Sequence, residues 1–308
     1  MSLTAPAPGS RLRRGLDELV LFKWWVTASS TVERWSRTQR TLLFLVCAIV
    51  AIALRIWAQT LPGNYDFHLW DLASTAVLKG QDPYTLYGYN YPPMWLAIVA
   101  GVKAVTSDQA QFRLGISLIL CLVDILIAVM LVSRGYLVPA CLFLLSPITI
   151  AISGQHQQID ALAIALALAA LLLAGRGSTR HIGGVDVCAV ALLGLSLSVK
   201  EVFLLLPLWI AMRSGSWQRR VFYLVVPYVI VGACLASAMV RYSAAEVVHY
   251  VLLHSGANNS PLVWTFVPSQ FAPWLLSHSG GKVLFFILLV AAGWTFRRLP
   301  LFESGLLY

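Results

Sequence analysis

Long apolar stretches broken by short, arginine-bearing connections dominate this chain. Residues 41–61, 113–133, 137–153, 159–174, 185–212, 221–240 and 282–296 are almost continuously hydrophobic, and several reach the roughly 20 residues that a helix needs to cross a hydrocarbon core. The pattern predicts an all-α polytopic integral membrane protein. The run at 92–105 has only 14 residues and opens with Pro-Pro, which predicts a re-entrant or interfacial segment. Leaving it out of the span count puts Arg134, Arg176 and Arg180 on the same side as Arg34, Arg37 and Arg40, as the positive-inside rule requires. Within 185–212 the pair Lys200-Glu201 interrupts the apolar run, and only two short halves meeting there keep Arg213, Arg219 and Arg220 on the cytosolic side. The expected topology therefore has about eight membrane helices and two long extracytoplasmic loops, 62–112 and 241–281.

Three regions follow from this pattern. Residues 1–40 read as a cytosolic segment in which LDELVLFKWWV (16–26) forms an interfacial helix, its apolar face on the inner leaflet. Residues 41–212 form the main transmembrane module with its first outer loop, and 213–308 add further helices. No apolar run ahead of a small-residue cleavage site marks a signal peptide, so the N-terminus is expected in the cytosol of a multi-pass cytoplasmic-membrane protein. The chain ends on LFESGLLY, which reads as the start of another apolar segment; related chains are expected to continue beyond it.

Composition narrows the function. The chain is 59% hydrophobic and 11% charged, with a net charge of +9, but its arginines sit in short connections between spans. That distribution fits membrane lipids as surroundings and excludes a nucleic-acid patch. The five cysteines lie inside apolar runs with no CxxC spacing and read as small core residues.

Polar residues concentrate at a few places. GNYDFHLWDLAS (63–74) brings Asp66, His68 and Asp71 just past the first span, and LKGQDPYTLYGYNYPPMW (78–95) adds Tyr84, Tyr91 and further aromatics. Part of that aromatic set would serve as an interfacial belt, and part would suit a groove that packs a ligand beside a few polar groups. SPITIAISGQHQQIDALAIAL (146–166) gathers Gln155, His156, Gln157, Gln158 and Asp160 where a helix is expected to open, a place where backbone N–H groups favour an anion. His156 and Asp160 are spaced i, i+4, which would set them on one helical face. Lys200 lies among apolar runs and reads either as half of a structural ion pair with Glu201 or as a cation for a phosphate. Arg55 either assists it or snorkels outward, and Asp124, in mid-span, is expected to pack against an interior polar group. In the last loop Glu246 with His249 or His254 could bind substrate; the three histidines there have no metal-ligand spacing.

The order of Asp66-Phe67, GQDPY (80–84), YNYPPMW (89–95), the 146–166 turn and SVKEVFLLLP (198–207) resembles GT-C glycosyltransferases, in particular the bacterial, mannosyltransferase-like family eighty-seven. The resemblance covers roughly 41–207. It implies a GT-C fold and inverting transfer of a hexose or pentose at the outer face, from a polyprenyl-phosphate donor to a hydroxyl of a lipid, glycan or protein acceptor. By motif position Asp66 would be the general base. Lys200, with Arg55 behind it, would meet the leaving phosphate, and His68, Tyr84, Tyr91, His156, Gln158, Asp160 and His254 would contact substrates. The lipid-linked sugar is then a co-substrate, and no metal or other cofactor is required. Two further readings are a transporter or flippase, and a catalytically silent subunit of a membrane-protein complex.

Overall fold

In a computed structural model the chain is described over residues 31–252, apart from 33, 63–64, 178–180 and 201–202, together with residues 287 and 291. The expected interfacial helix at 16–26, most of the loop after 241 including His254, the span at 282–296 and the terminal LFESGLLY lie outside the described residues. Among the described residues no strand occurs, and the protein is an all-α membrane protein.

The helices are α1 (Arg37–Ala58), α2 (Tyr65–Leu78), α3 (Pro83–Tyr87), α4 (Pro93–Ala104), α5 (Gln109–Ser133), α6 (Leu137–Leu145), α7 (Pro147–Ile150), α8 (Asp160–Ala174), α9 (Gly184–Val199), α10 (Leu206–Met212), α11 (Trp217–Arg241) and α12 (Ala244–Val247). Short π-helical turns, Ala151–Gln155 and Val248–Leu252, extend α7 and α12. Of these, α1, α5 and α11 are long and apolar enough to cross a membrane, and α6 with Pro147–Gln155 makes a fourth candidate bent by 51°. The apolar α4, α8 and α9 are shorter, at 12, 15 and 16 residues.

Local chemistry sets the helix ends. A capping box starts α1: the Ser36 hydroxyl accepts the Gln39 N–H and the Gln39 side chain accepts the Ser36 N–H. Asp108 caps α5 and Ser216 caps α11 with a single bond each, the side chain accepting the N–H of Gln111 and of Arg219. Along α1 the buried positions Ala48, Ala51, Arg55 and Ala58 recur three or four residues apart, with Cys47 beside them, giving one inward stripe. Leu42, Leu45, Val46, Ile49 and Val50 point outward, a face that lipid chains solvate without penalty. Cys47, Cys121 and Cys141 are buried as expected; Cys188 is exposed and Cys234 half-buried, because α9 and α11 turn those positions away from the packed face.

Two ends of the bundle differ in character. Arg34 precedes α1 and Arg37 begins it, Arg134 closes α5, Arg176 follows α8, and Arg213, Arg219 and Arg220 lie at the α10–α11 junction. At the opposite end, the start of α5 (Phe112, Ile116), the start of α8 (Ile159, Ala163), the last residue of α9 (Val199) and the end of α11 (Ala238) share one cluster with the 62–108 connection. The chain therefore leaves α1 and enters α5 at the same end, where Arg113 Nη2 donates to the Leu61 carbonyl at 2.6 Å. Helix α4 stays in this layer, packed on α2, and changes no side.

The expected continuous helix over 137–153 is broken. Pro147 has no N–H for the carbonyl of Phe143, so the chain bends there and leaves carbonyls to be satisfied by side chains. Thr149 donates its hydroxyl to the Phe143 and Ser146 carbonyls at 2.6 and 3.0 Å, and Arg55 Nη1 donates to the Leu144 carbonyl at 2.8 Å. Arg55 also donates through Nε to Asp124 at 2.9 Å and to Ser153 at 3.2 Å, and through Nη1 to the Ala51 carbonyl at 3.2 Å. Asp124 receives the Ser153 hydroxyl at 2.5 Å. Arg55 is 1% exposed, so it neither snorkels outward nor presents its charge to a lipid phosphate; it ties α1, α5 and the bent segment together.

A second buried lock closes the arginine-rich end. Asp186 accepts from Arg219 Nε at 2.9 Å, from the Tyr223 hydroxyl at 2.8 Å and from the Gly183 N–H at 3.0 Å, while Arg219 Nη2 donates to the Ala174 carbonyl at 2.8 Å. It joins the end of α8, the start of α9 and α11.

Removing Asp124 strands the Arg55 cation in the interior. Asp124→Ala is expected to cost about 3–5 kcal/mol, read as earlier thermal unfolding in detergent. Replacing both residues (Arg55→Met with Asp124→Leu) should not restore native stability, because the Leu144 carbonyl at the bend loses its donor; full recovery would show that the bend does not depend on the guanidinium.

Candidate functional site

The 62–108 connection folds into an aromatic layer against the end of the bundle. Tryptophan, tyrosine and phenylalanine rings bury large areas and prefer edge-on contact. Here Trp95 meets Trp70 at 5.1 Å between ring centroids, Trp70 meets Tyr91 at 5.6 Å, Tyr91 meets Tyr89 at 5.7 Å and Tyr89 meets Tyr84 at 5.6 Å. Tyr84, Tyr89, Trp70 and Trp95 are fully buried, so the aromatic set packs as a core and not as the walls of an open groove. Tyr84, expected to contact substrate, is therefore a packing residue whose hydroxyl lies inside.

This layer positions α2, and with it the two aspartates. Asp71 accepts from Lys103 Nζ of α4 at 2.7 Å and serves as a strut. Asp66 lies in the first turn of α2, half-buried, and faces the turn that leads into α8. Gln158 Nε2 donates to Asp66 Oδ2 at 2.6 Å across 92 residues of sequence, and the Tyr91 hydroxyl hydrogen-bonds the same carboxylate. Burial first, then the Asp66 charge and more weakly that of Asp160, push the Tyr91 phenol well above its ordinary range, so it stays a donor at neutral pH.

The turn itself is unusual. Gln157 is the one non-glycine among the described residues with positive φ, at 57°, a left-handed conformation in which side chains are rarely held. Its amide anchors it: Nε2 donates to the Arg113 carbonyl at 2.8 Å and to Ser117 Oγ at 2.6 Å. With residue 157 turned under, Gln158 is aimed at Asp66 and α8 begins at Asp160. Helical geometry does not reach back to His156, so His156 and Asp160 do not share a helix face as their spacing suggested.

Helix α9 stops at Val199, and Lys200 is extended (φ −159°, ψ 137°). Its ammonium pairs with Asp160 Oδ1 at 2.7 Å, with the two side chains 27% and 35% exposed. The break expected at Lys200 is present, and among the described residues its partner is Asp160, forty residues earlier by number and adjacent in space; Glu201, the other expected partner, lies outside the described residues. Asp66, Tyr91, Gln158, Asp160 and Lys200 thus form one polar cluster at the loop end, drawn from four separate segments. His68 is exposed on α2 and His156 half-buried beside the turn; His254 lies outside the described residues.

No family model, curated protein or solved structure matches the chain. The site therefore stands on its own geometry. Among the described residues no group of three or more His, Cys, Asp or Glu is arranged to hold a metal ion.

Arg113 is the site residue that the sequence pattern passed over. Its Nη2 holds the Leu61 and Gln155 carbonyls at 2.6 and 3.2 Å, and its guanidinium stands 5.6 Å from the Phe67 ring centroid. It fixes α1's exit, the 155–158 turn and the residue next to Asp66. A cation near the N-terminal end of an apolar helix runs against the helix dipole, and that conflict was the available sign that it serves a tertiary contact.

A clasp holds the aromatic layer from the far side. Asp82 caps α3 through the Tyr84 and Thr85 N–H groups and also accepts the Ser243 N–H at 2.8 Å. Burial raises its carboxyl, but the N–H of Ser243, the Thr85 hydroxyl and the remaining N–H donors outweigh this and hold it below 3.8. Its contribution is therefore present above the ordinary carboxyl range and is lost as pH falls through the depressed value. Gly88 ends α3 at φ 60°, and a Cβ there would lie 2.9 Å from the Tyr250 ring. Gly88→Ala is expected to cost about 1–2 kcal/mol from the left-handed backbone alone and to speed hydrogen exchange in residues 83–91 and 243–252 together. Unchanged exchange in both segments would contradict the clasp.

Proposed function

We propose that this chain is a membrane glycosyltransferase of GT-C type, with about eight membrane helices, that moves a sugar from a polyprenyl-phosphate donor to an acceptor hydroxyl with inversion. The observation that carries this reading is the Gln158–Asp66 contact. It places a half-buried carboxylate within one cluster that also contains a lysine, at the end of a bundle surrounded by lipid-facing helices.

Each step has a candidate group. Asp66, oriented by Gln158 and Tyr91, takes the acceptor hydroxyl's proton as that oxygen bonds to the anomeric carbon. The bond from the anomeric carbon to the phosphate oxygen breaks on the opposite face, and the electron pair leaves with the lipid phosphate. Lys200 supplies the positive charge that this leaving group needs. Arg55 has no place in the scheme, since its donors are committed to the interior.

A second reading draws on another observation. Two helix breaks, at Pro147–Gln155 and at Lys200, both feed the polar cluster, and discontinuous helices around a polar site are a feature of transporters. Reconstituted chain that moves a lipid-linked sugar across vesicles without covalent transfer would favour that reading.

For the transferase, Asp66→Asn is the decisive variant. Transfer from polyprenyl-phosphate sugars should fall by roughly 10²- to 10⁴-fold with thermal unfolding unchanged. Gln158→Leu should lower the turnover number less, leaving the donor's KM nearly constant. Native turnover in Asp66→Asn would end the assignment.

A further inference from the structure

The two features that would attract a phosphate, the Lys200 ammonium and the open start of α8, are both already met by one carboxylate. Asp160 is the first residue of α8, whose preceding Ile159 provides no side-chain cap, and it is also the 2.7 Å partner of Lys200. The cluster's formal charges are Asp66 and Asp160 against Lys200, so an arriving phosphate meets a net negative site. Something must give way before the lysine can serve an anion.

The geometry identifies what. The Arg55–Asp124 pair is 1% and 3% exposed and the Arg219–Asp186 pair 6% and 1%, each wrapped by further hydrogen bonds. Lys200–Asp160 is open, at 27% and 35%, and among the described residues neither side chain makes a further hydrogen bond. Both residues stand at helix ends, Lys200 on extended backbone, so each side chain can swing without unwinding a turn. Exposed pairs of this kind are weak and exchangeable, whereas wrapped buried pairs are not.

We propose that Asp160 is a displaceable internal anion that occupies the phosphate position on Lys200 and is exchanged for the phosphate monoester or diester of the incoming lipid. The inference rests on the phosphate-donor reading above and adds how the site chooses its ligand: only a group that outcompetes a carboxylate for the ammonium gains entry, and a neutral lipid does not.

The test is binding of dodecyl phosphate, inorganic phosphate and dodecanol to the full chain in detergent, in native, Asp160→Asn, Lys200→Gln and doubly substituted forms. Asp160→Asn should bind dodecyl phosphate about tenfold tighter than native, and the gain should vanish when Lys200→Gln is also present. Asp160→Ser, which keeps a good helix-start residue, should behave like Asp160→Asn and replaces it if that variant does not fold. Equal or weaker binding by the Asp160 variants would overturn the proposal and make Asp160 a residue that merely positions Lys200. A gain that persists without Lys200 would also overturn it, leaving only diffuse repulsion. Binding of inorganic phosphate as tight as dodecyl phosphate would support the exchange while removing the lipid donor. Absence of binding in every form would remove the phosphate reading itself, and the exchange with it.

Discussion

An apolar interior tolerates a bent chain only where every released carbonyl finds a donor, and here one guanidinium supplies that condition. Arg55 reaches from α1 to Asp124 on α5, to the Leu144 carbonyl at the Pro147 bend and to Ser153 in the π-helical turn beyond it. An unmet carbonyl or an unpaired charge at this depth would cost several kcal/mol, comparable with much of a protein's net stability. The bend in turn delivers residues 155–158 to the loop end at an angle that a straight helix could not give. Asp66 obtains its Gln158 partner because Arg55 has made the path beneath it affordable.

Charges at different depths follow different rules. The two wrapped pairs, Arg55–Asp124 in the interior and Arg219–Asp186 at the arginine-rich end, fix their helices and have no freedom to exchange partners. The open pairs, Asp71–Lys103 and Asp160–Lys200, lie in the loop layer. Asp71–Lys103 ties α2 to α4 and so steadies the helix that carries Asp66. Asp160–Lys200 joins the start of α8 to the end of α9 and is the site's movable charge. Rigid struts around one exchangeable pair suit a place where an ionic ligand comes and goes.

Much of this was readable from local pattern. Apolar runs flanked by arginine marked the helices, and the short Pro-Pro run at 92–105 marked a segment that stays on one side, because length and charge bias are local properties. The interruption at Lys200 and the polar turn at 155–160 were visible for the same reason. Partners were not. Arg55 lies 69 residues from Asp124 and Gln158 lies 92 from Asp66, separations at which neither periodicity nor propensity carries information. The i, i+4 argument for His156 and Asp160 failed because it assumed helix through Gln157, whose left-handed backbone is set by tertiary hydrogen bonds to Arg113 and Ser117. The aromatic residues looked like a ligand groove since composition cannot separate a wall from a core; packing made them a core.

The central claim is that a lipid phosphate is received where the 155–160 turn meets Lys200. A polyprenyl-phosphate analogue carrying a photoreactive diazirine beside the phosphate, applied to the membrane-embedded chain, tests this directly by mapping the labelled peptides. Labelling concentrated in residues 155–162 and 198–206, and competed away by unmodified lipid phosphate, is the predicted result. Labelling confined to the lipid-facing sides of α1 and α11, with no competition, would contradict the account.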